Sequence, residues 1–316
     1  MSNVSGPTVS VVIPAYNAAG TIRDALASVE RQTFRPFEVI VVDDASADGT
    51  ADTLRKEYAR HGLVFLDRNL GPAGARNAGI RKARGEWLAF LDGDDAWLPW
   101  RIEEQMKVLA ASPDAVCISG DVTLLSGAEN RPAVRSAAYP VRDVALEEFL
   151  DSNPVPTSTA LVRRTALDEA GGFDEQFRGP EDIDLWMRIA ARGRVLKMDL
   201  PLALYRERPG SLCMNQDRFL PEIVRVYAKA FGSGGALYDY RRWRGRAVAG
   251  RYVSAAWSYM VCGRRGRALA LLLRSWLIWP RRLKIEQSRP AWRLIMLARI
   301  LTSRSCPPDA STTLRS

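Results

Sequence analysis

The run Glu86-Trp87-Leu88-Ala89-Phe90-Leu91-Asp92-Gly93-Asp94-Asp95 constrains this chain most: an apolar, strand-like stretch delivers three carboxylates within four residues at its C-terminal end. Clustered carboxylates repel one another unless something positive joins them, and a divalent cation bridging a diphosphate is the common answer. Asp92 and Asp94, separated by one small residue, can aim at a shared ligand around a tight turn at Gly93, whereas neighbours on an extended strand point apart. A capped turn in which Asp95 starts a helix at Ala96 would use the same residues without any ligand.

The surrounding pattern sets the fold. Val9-Ser10-Val11-Val12-Ile13 is a β-branched run ending at Pro14, and a second apolar strand over residues 37–42 again ends in acid, at Asp43-Asp44. Residues 63–66 read as a short third strand and 87–91 as the fourth. Helical spacing covers residues 18–31, with Ile22, Leu26 and Val29 on one face, and then 51–60 (capped by Ser46, Asp48 or Thr50), 73–83 and 101–111. Such alternation predicts a mostly parallel, doubly wound α/β sheet of Rossmann type. Its binding residues gather beyond the strand ends, which brings Pro14-Ala15-Tyr16-Asn17, Asp43-Asp44 and Asp92-Gly93-Asp94 together. Further on, 115–125 alternates like a strand, 127–141 reads as loop, 154–164 as a Thr/Ser-rich strand, and Pro180 opens a helix carrying Glu181, Asp182, Asp184 and Trp186.

Charge divides the chain. The net charge is +9, but residues 201–316 hold 22 Lys and Arg against 6 Asp and Glu, about +16, leaving residues 1–200 near −7. The expected organisation is a catalytic domain over 1–205, a linker over 206–220 and a basic amphipathic helical region over 221–316. A single histidine, His61, sits in a polar stretch read as a solvated helix end, so histidine-based hydrolase triads and imidazole-rich zinc sites are disfavoured. Any general base is then a carboxylate. Cys117, Cys213, Cys262 and Cys306 match no metal-ligand spacing and suit a reducing compartment. Neither a signal peptide at the start nor an uninterrupted membrane-spanning run is evident, and the expected location is cytoplasmic, peripheral at the inner face of the cell membrane.

Five segments together resemble family 2 glycosyltransferases, the inverting nucleotide-sugar enzymes of the GT-A fold. They are Val11 through Asn17, Val41 through Thr50, Asn69 through Gly79, Phe90 through Asp95, and Gly172-Phe173 through Glu181-Asp182, in the family's order and covering about residues 8–205. The resemblance implies a GT-A catalytic domain with a basic helical C-terminal extension. It further implies that Pro14, Tyr16 and Asp44 hold the nucleobase and ribose of a nucleotide-diphospho-sugar, with UDP-sugar the expected donor. Arg76 approaches the diphosphate or base at a helix start, where guanidinium and helix N-terminus both favour phosphate. Asp92 lies near ribose and metal, and Asp94 is the firmest ligand of Mn²⁺ or Mg²⁺.

By the same resemblance Asp182 is the general base, with Glu181 beside it, while Trp186, one helical turn on, shapes the sugar or acceptor pocket. Glu181 and Asp184 are candidates to tune Asp182. Acidic residues in a first helical turn are also favoured by the helix dipole without any chemistry. The implied reaction is inverting, metal-dependent transfer of a single sugar to a hydroxyl of a cell-surface or secreted glycan, lipid-linked or polysaccharide precursor. The Gln-x-x-Arg-Trp motif of processive members is absent. Two alternatives stay open: a catalytically silent nucleotide-sugar-binding scaffold, and a sugar nucleotidyltransferase.

The C-terminal region alternates arginine runs with apolar segments containing Trp257, Trp276, Trp279 and Trp292. That composition suits the headgroup region of an anionic membrane, or helical packing with solvated arginines. A nucleic-acid partner is disfavoured, because no recognised nucleic-acid module accompanies it.

Overall fold

The computed structural model describes residues 8–35, 37–125, 138–206 and 215–302. Alternating strands and helices build the first half: β1 (Val9–Ala15), α1 (Ile22–Glu30), β2 (Phe37–Asp43), α2 (Thr50–Glu57), β3 (Gly62–Phe65), α3 (Gly71–Lys82) and β4 (Trp87–Phe90). There follow β5 (Ala96–Trp97), α4 (Arg101–Ala111), β6 (Ala115–Leu124), β7 (Val141–Asp143), β8 (Leu161–Arg163), α5 (Arg164–Ala170), α6 (Glu181–Ala190) and β9 (Arg194–Tyr205). Among the described residues they form one nine-stranded sheet in the order β3-β2-β1-β4-β8-β6-β9-β5, with β7 on β9.

The strands β3, β2, β1 and β4 are parallel; the Val/Ile runs of β1 and β2 and all of β4 are buried, while β3, at the sheet's edge, is only partly so. From β4 onward the sheet is mixed, because β8 joins antiparallel to β4 and β6, while β6 and β9 run parallel. Val9, Val11 and Ile13 of β1, Ile22 and Leu26 of α1 and Leu161 of β8 share one buried cluster. On α3, a side chain at Gly79 would start 2.4 Å from Val12 Cγ1, so glycine there lets the helix lie flush on β1 and β2.

Several expected boundaries move. The helices read over 18–31 and 51–60 shorten to α1 and α2, which leaves His61 beyond a helix end: it is partly buried, stacked on Tyr58 at 6.1 Å and 3.3 Å from Glu30, rather than solvated. Residues 157–159 of the expected Thr/Ser-rich strand form a 3₁₀ turn, with β8 reduced to three residues. Ala96 opens a strand, not a helix. Most of the expected 127–141 loop, together with Cys213 and Cys306, lies outside the described residues, and Val141 itself opens β7.

Two compact units partition the chain, one comprising residues 1–148 and 153–208, the other 149–152 and 209–316. The second unit is helical, with α7 (Gln216–Ala230), α8 (Arg244–Val261), α9 (Arg265–Ile278), α10 (Ile285–Ser288) and α11 (Trp292–Thr302). The end of the expected linker is thus the first turn of α7. Ala256, Trp257 and Met260 of α8 pack with Leu271 and Leu272 of α9 and with Trp292, Met296 and Ile300 of α11. No helix among the described residues is long and apolar enough to cross a membrane.

Candidate active site

Because β1 lies between β2 and β4, the turns beyond these three strands share one sheet edge. The first two are laced by side-chain hydrogen bonds. Asn17 accepts from Ala47 N at 2.9 Å and its own N–H donates to Ser46 Oγ at 3.0 Å, while Ala18 and Ala19 donate to Thr50 Oγ1 and Asp48 Oδ2 at 2.9 and 3.0 Å. Asn17 and Ala45 hold φ of 47° and 57°; for alanine this left-handed conformation is costly and persists here because the lacing fixes it. Tyr16 leaves this platform 55% exposed, and Pro14 is partly buried.

Asp44 is buried, and its carboxylate accepts the N–H groups of Leu70 and Gly71 at 2.7 and 2.9 Å. It caps the start of α3, and burial pushes its pKa above the ordinary 3.8 against those two hydrogen bonds. The neighbouring Asp43 is buried too, with one oxygen lacking any partner.

The acidic turn after β4 separates three carboxylates that the sequence presents together. Asp95 N donates to Asp92 O at 3.0 Å, closing the turn, and the Asp95 side chain points inward, accepting from Ser158 Oγ at 2.6 Å and Arg206 N at 3.0 Å. Burial, then repulsion from Asp92, raises its pKa to about 8. Asp92 and Asp94 stay partly exposed. Gly93 is required by close approach, since a Cβ there would sit 2.9 Å from the Pro14 carbonyl oxygen. Arg206 also donates from Nε to the Asp94 carbonyl at 3.0 Å.

Arg76 corrects an expectation. Its guanidinium is buried and committed to two carboxylates, donating to Asp92 Oδ1 at 2.6 Å and Glu181 Oε1 at 2.7 Å, so it is not held out toward phosphate. Both acids outweigh its desolvation and hold it firmly protonated. Phe173 lies under it, 5.2 Å from ring centroid to guanidinium carbon. Glu181 is fully used, since its other oxygen accepts Gly179 N at 2.7 Å. Arg76 thereby joins the acidic turn to the start of α6.

Asp182, next on α6, faces elsewhere. Its Oδ2 accepts from Asn153 Nδ2 and Thr157 Oγ1, each at 3.0 Å, and Oδ1 from Ile183 N at 2.7 Å. Burial, and secondly the charge of Glu181, raises its pKa to about 7 despite Arg76. Asp184 is turned to Arg188 at 2.6 Å. Trp186 corrects a second expectation: it is buried against Phe90 and Phe173, with centroids 6.1 and 6.0 Å away, and supports β4 and the α6 approach from within the core instead of lining a pocket.

Sequence reading missed the residues that hold Asp182 and Asp95. Asn153, Thr157 and Ser158 sit on a turn fixed from α4 and β5: Trp97 Nε1 donates to Ser158 O at 2.9 Å, Gln105 Nε2 to Thr159 O at 2.8 Å, and Arg101 to Ala160 O at 2.8 Å. The signal was the Thr157-Ser158-Thr159 run, whose hydroxyls favour local backbone bonding over a regular strand.

The chemistry of two side chains here fits a divalent cation. Asp92 and Asp94 supply hard oxygen donors suited to Mg²⁺ or Mn²⁺, Asp95 is turned away, and no group of three or more acidic, His or Cys ligands occurs among the described residues.

Comparisons with known proteins agree with this architecture. Residues 10–171 match Glycosyl transferase family 2. The succinoglycan biosynthesis protein ExoO of Rhizobium meliloti is 35% identical over 217 residues, 65% of this chain and 62% of that protein, so the chain spans under two thirds of this relative's length. An Escherichia coli relative, the UDP-Glc:alpha-D-GlcNAc-diphosphoundecaprenol beta-1,3-glucosyltransferase WfaP, is 28% identical, covering 69% of this chain and 83% of its own. In structure the chain is similar to Staphylococcus aureus TarS 1-349 in complex with UDP-GlcNAc, at TM-score 0.64 and 20% identity over 93% of this chain and 88% of that one. It is also similar to the mannosyltransferase PcManGT of Pyrobaculum calidifontis in complex with GDP-Man and Mn²⁺, at 0.57 and 22% over 93% and 86%. With the acidic turn, the α3 start and the α6 start assembled on one edge of a GT-A sheet, the chain belongs to glycosyl transferase family 2.

Proposed function

We propose that this chain transfers a single sugar, with inversion, from a nucleotide-diphosphate donor to a hydroxyl of a glycan or lipid-linked acceptor. UDP-sugar is the donor class supported by the names of the TarS complex and of the Escherichia coli relative, and the latter's name supports a lipid-linked acceptor. Pro14 and the exposed face of Tyr16 receive base and ribose, and Asp44, buried with both oxygens on the α3 start, offers them only its remaining lone pairs. Asp92 and Asp94 hold the divalent ion, which when bound neutralises charge on the departing diphosphate. Asp182 takes the proton of the acceptor hydroxyl as it attacks, and a carboxylate with pKa near 7 is matched to that work.

The observation that carries this reading is the Glu181–Arg76–Asp92 bridge, which ties the helix bearing the base to the turn bearing the metal ligands. Arg76 is a positioning residue in this account. A silent scaffold would have no need of a carboxylate poised near neutrality, and a nucleotidyltransferase would need a glycine-rich basic loop where Pro14-Ala15-Tyr16-Asn17 stands.

The test is transfer, and separately donor binding by calorimetry, with Mn²⁺ and a panel of nucleotide-sugars. Asp182→Asn is expected to lower transfer by about 10²- to 10⁴-fold with donor binding retained. Asp94→Ala is expected to remove the metal dependence of donor binding. Near-wild-type transfer by Asp182→Asn would take the base assignment away, and unchanged metal-dependent turnover in Asp94→Ala would exclude it as a ligand.

A further inference from the structure

Trp257, Trp276, Trp279 and Trp292 are not the main exposed apolar surface of the C-terminal region: Trp276 and Trp279 are half-buried. Trp257 and Trp292 are buried, and arginines cover ring faces: Arg289 over Trp292 at 5.1 Å and Arg293 over Trp276 at 5.5 Å. What α9 and α11 leave exposed is aliphatic. Leu273 and Leu277 lie one turn apart on α9, followed by Ile278, and Leu294, Ile295 and Leu301 line the outer side of α11. Leu277, Leu301 and Leu294 are 83%, 65% and 60% exposed, which is costly for side chains that could have packed.

Arg293 brings the two sets to one junction. From α11 it donates to the carbonyls of Trp279 and Arg281, just past the end of α9, at 2.8 and 2.6 Å, while paired with Glu286 at 2.9 Å. Arg293, next to Leu294 in sequence, thereby ties the start of α11 to the segment that directly follows Leu277 and Ile278. Arg274, Arg281, Arg282 and Lys284 are exposed around this junction. Between residues 240 and 302 the sequence holds one carboxylate, Glu286, and it is buried in the pair with Arg293.

We propose that this aliphatic face of α9 and α11 seats on an anionic lipid bilayer, its leucines below the headgroups and its cationic rim at the lipid phosphates. Self-association through the same face would set cations against cations, and phosphate-backbone binding would leave the leucines in water. The surface belongs to the second unit and the catalytic proposal to the first, and the test of the surface needs no turnover.

Full-length protein is sedimented with vesicles of phosphatidylglycerol and phosphatidylcholine in equal parts, and with phosphatidylcholine alone. Wild type is expected to pellet with the anionic vesicles and stay in solution with the neutral ones. Leu277→Ser/Leu294→Ser/Leu301→Ser is expected to bind at least about tenfold more weakly. Arg281→Gln/Arg282→Gln/Lys284→Gln is expected to bind more weakly too, with a shallower dependence on salt. All substituted side chains are exposed, so melting curves should match wild type and separate lost binding from lost fold. The proposal is overturned if wild type ignores anionic vesicles, if it binds neutral ones equally, or if the leucine variant binds as wild type does. A dimer that the leucine variant dissociates, without vesicle binding, would give the face to a second copy instead.

Discussion

Arg76 and Arg293 are both buried arginines held by carboxylates, yet they serve different ends. Arg76 reaches Asp92, 16 residues away, and Glu181, 105 residues away, so it fixes the relative position of two distant parts of the sheet edge. Arg293 reaches Glu286, seven residues away, and the carbonyls beside it, so it closes a local helix junction. The first pairing constrains a site, the second a packing arrangement. The same contrast runs through the units. In the first, buried carboxyl groups such as those of Asp44, Asp95 and Glu181 each accept specific donors around one edge; in the second, arginines largely cover aromatic faces.

The sharpest way to break that contrast is to remove each arginine's charge. Arg76→Met and Arg293→Met each leave a buried carboxylate unpaired, a loss of about 3–5 kcal/mol by denaturant unfolding. Transfer by the folded fraction should fall with Arg76→Met and stay near wild type with Arg293→Met. Near-wild-type transfer by the folded fraction of Arg76→Met would show that Arg76 acts through stability alone.

A smaller effect is expected from Ser158→Ala, which removes the 2.6 Å donor to buried Asp95 and the acceptor of Asp92 N. The cost is about 1–3 kcal/mol. A melting temperature unchanged from wild type would mean that the acidic turn does not lean on the 157–159 turn.

How much of this was legible in sequence follows the same division. The strands β1 and β2 were visible because burial on both faces writes long β-branched runs, and the strand-end acids were visible because they directly end apolar runs. β9 was not: Asp199 and Pro201 interrupt it, and the sheet accommodates them through register shifts against β6 near Asp121. Arg76 was legible as an important residue but not as an internal bridge, because its partners are set by topology and not by spacing. Trp186 lay on the expected helix, yet which face of α6 is core depends on Phe90 and Phe173. In the second unit the Arg/Trp composition was visible, whereas the burial of Trp257 and Trp292 depends on how α8, α9 and α11 pack.

The central claim is that Asp182 is a base whose proton affinity is set by burial and by Glu181. Asp182 is raised from 3.8 to about 7 in the folded chain, so the form able to accept a proton accumulates as pH rises through 7. The folded state also keeps a proton that the unfolded chain has released, so this group lowers stability as pH rises across that window. The direct measurement is the pH dependence of kcat/KM for wild type and Glu181→Gln. A rising limb near pH 7 that moves to lower pH when Glu181 loses its charge is the expected result; a limb that stays in place in Glu181→Gln, or persists in Asp182→Asn, would contradict the account.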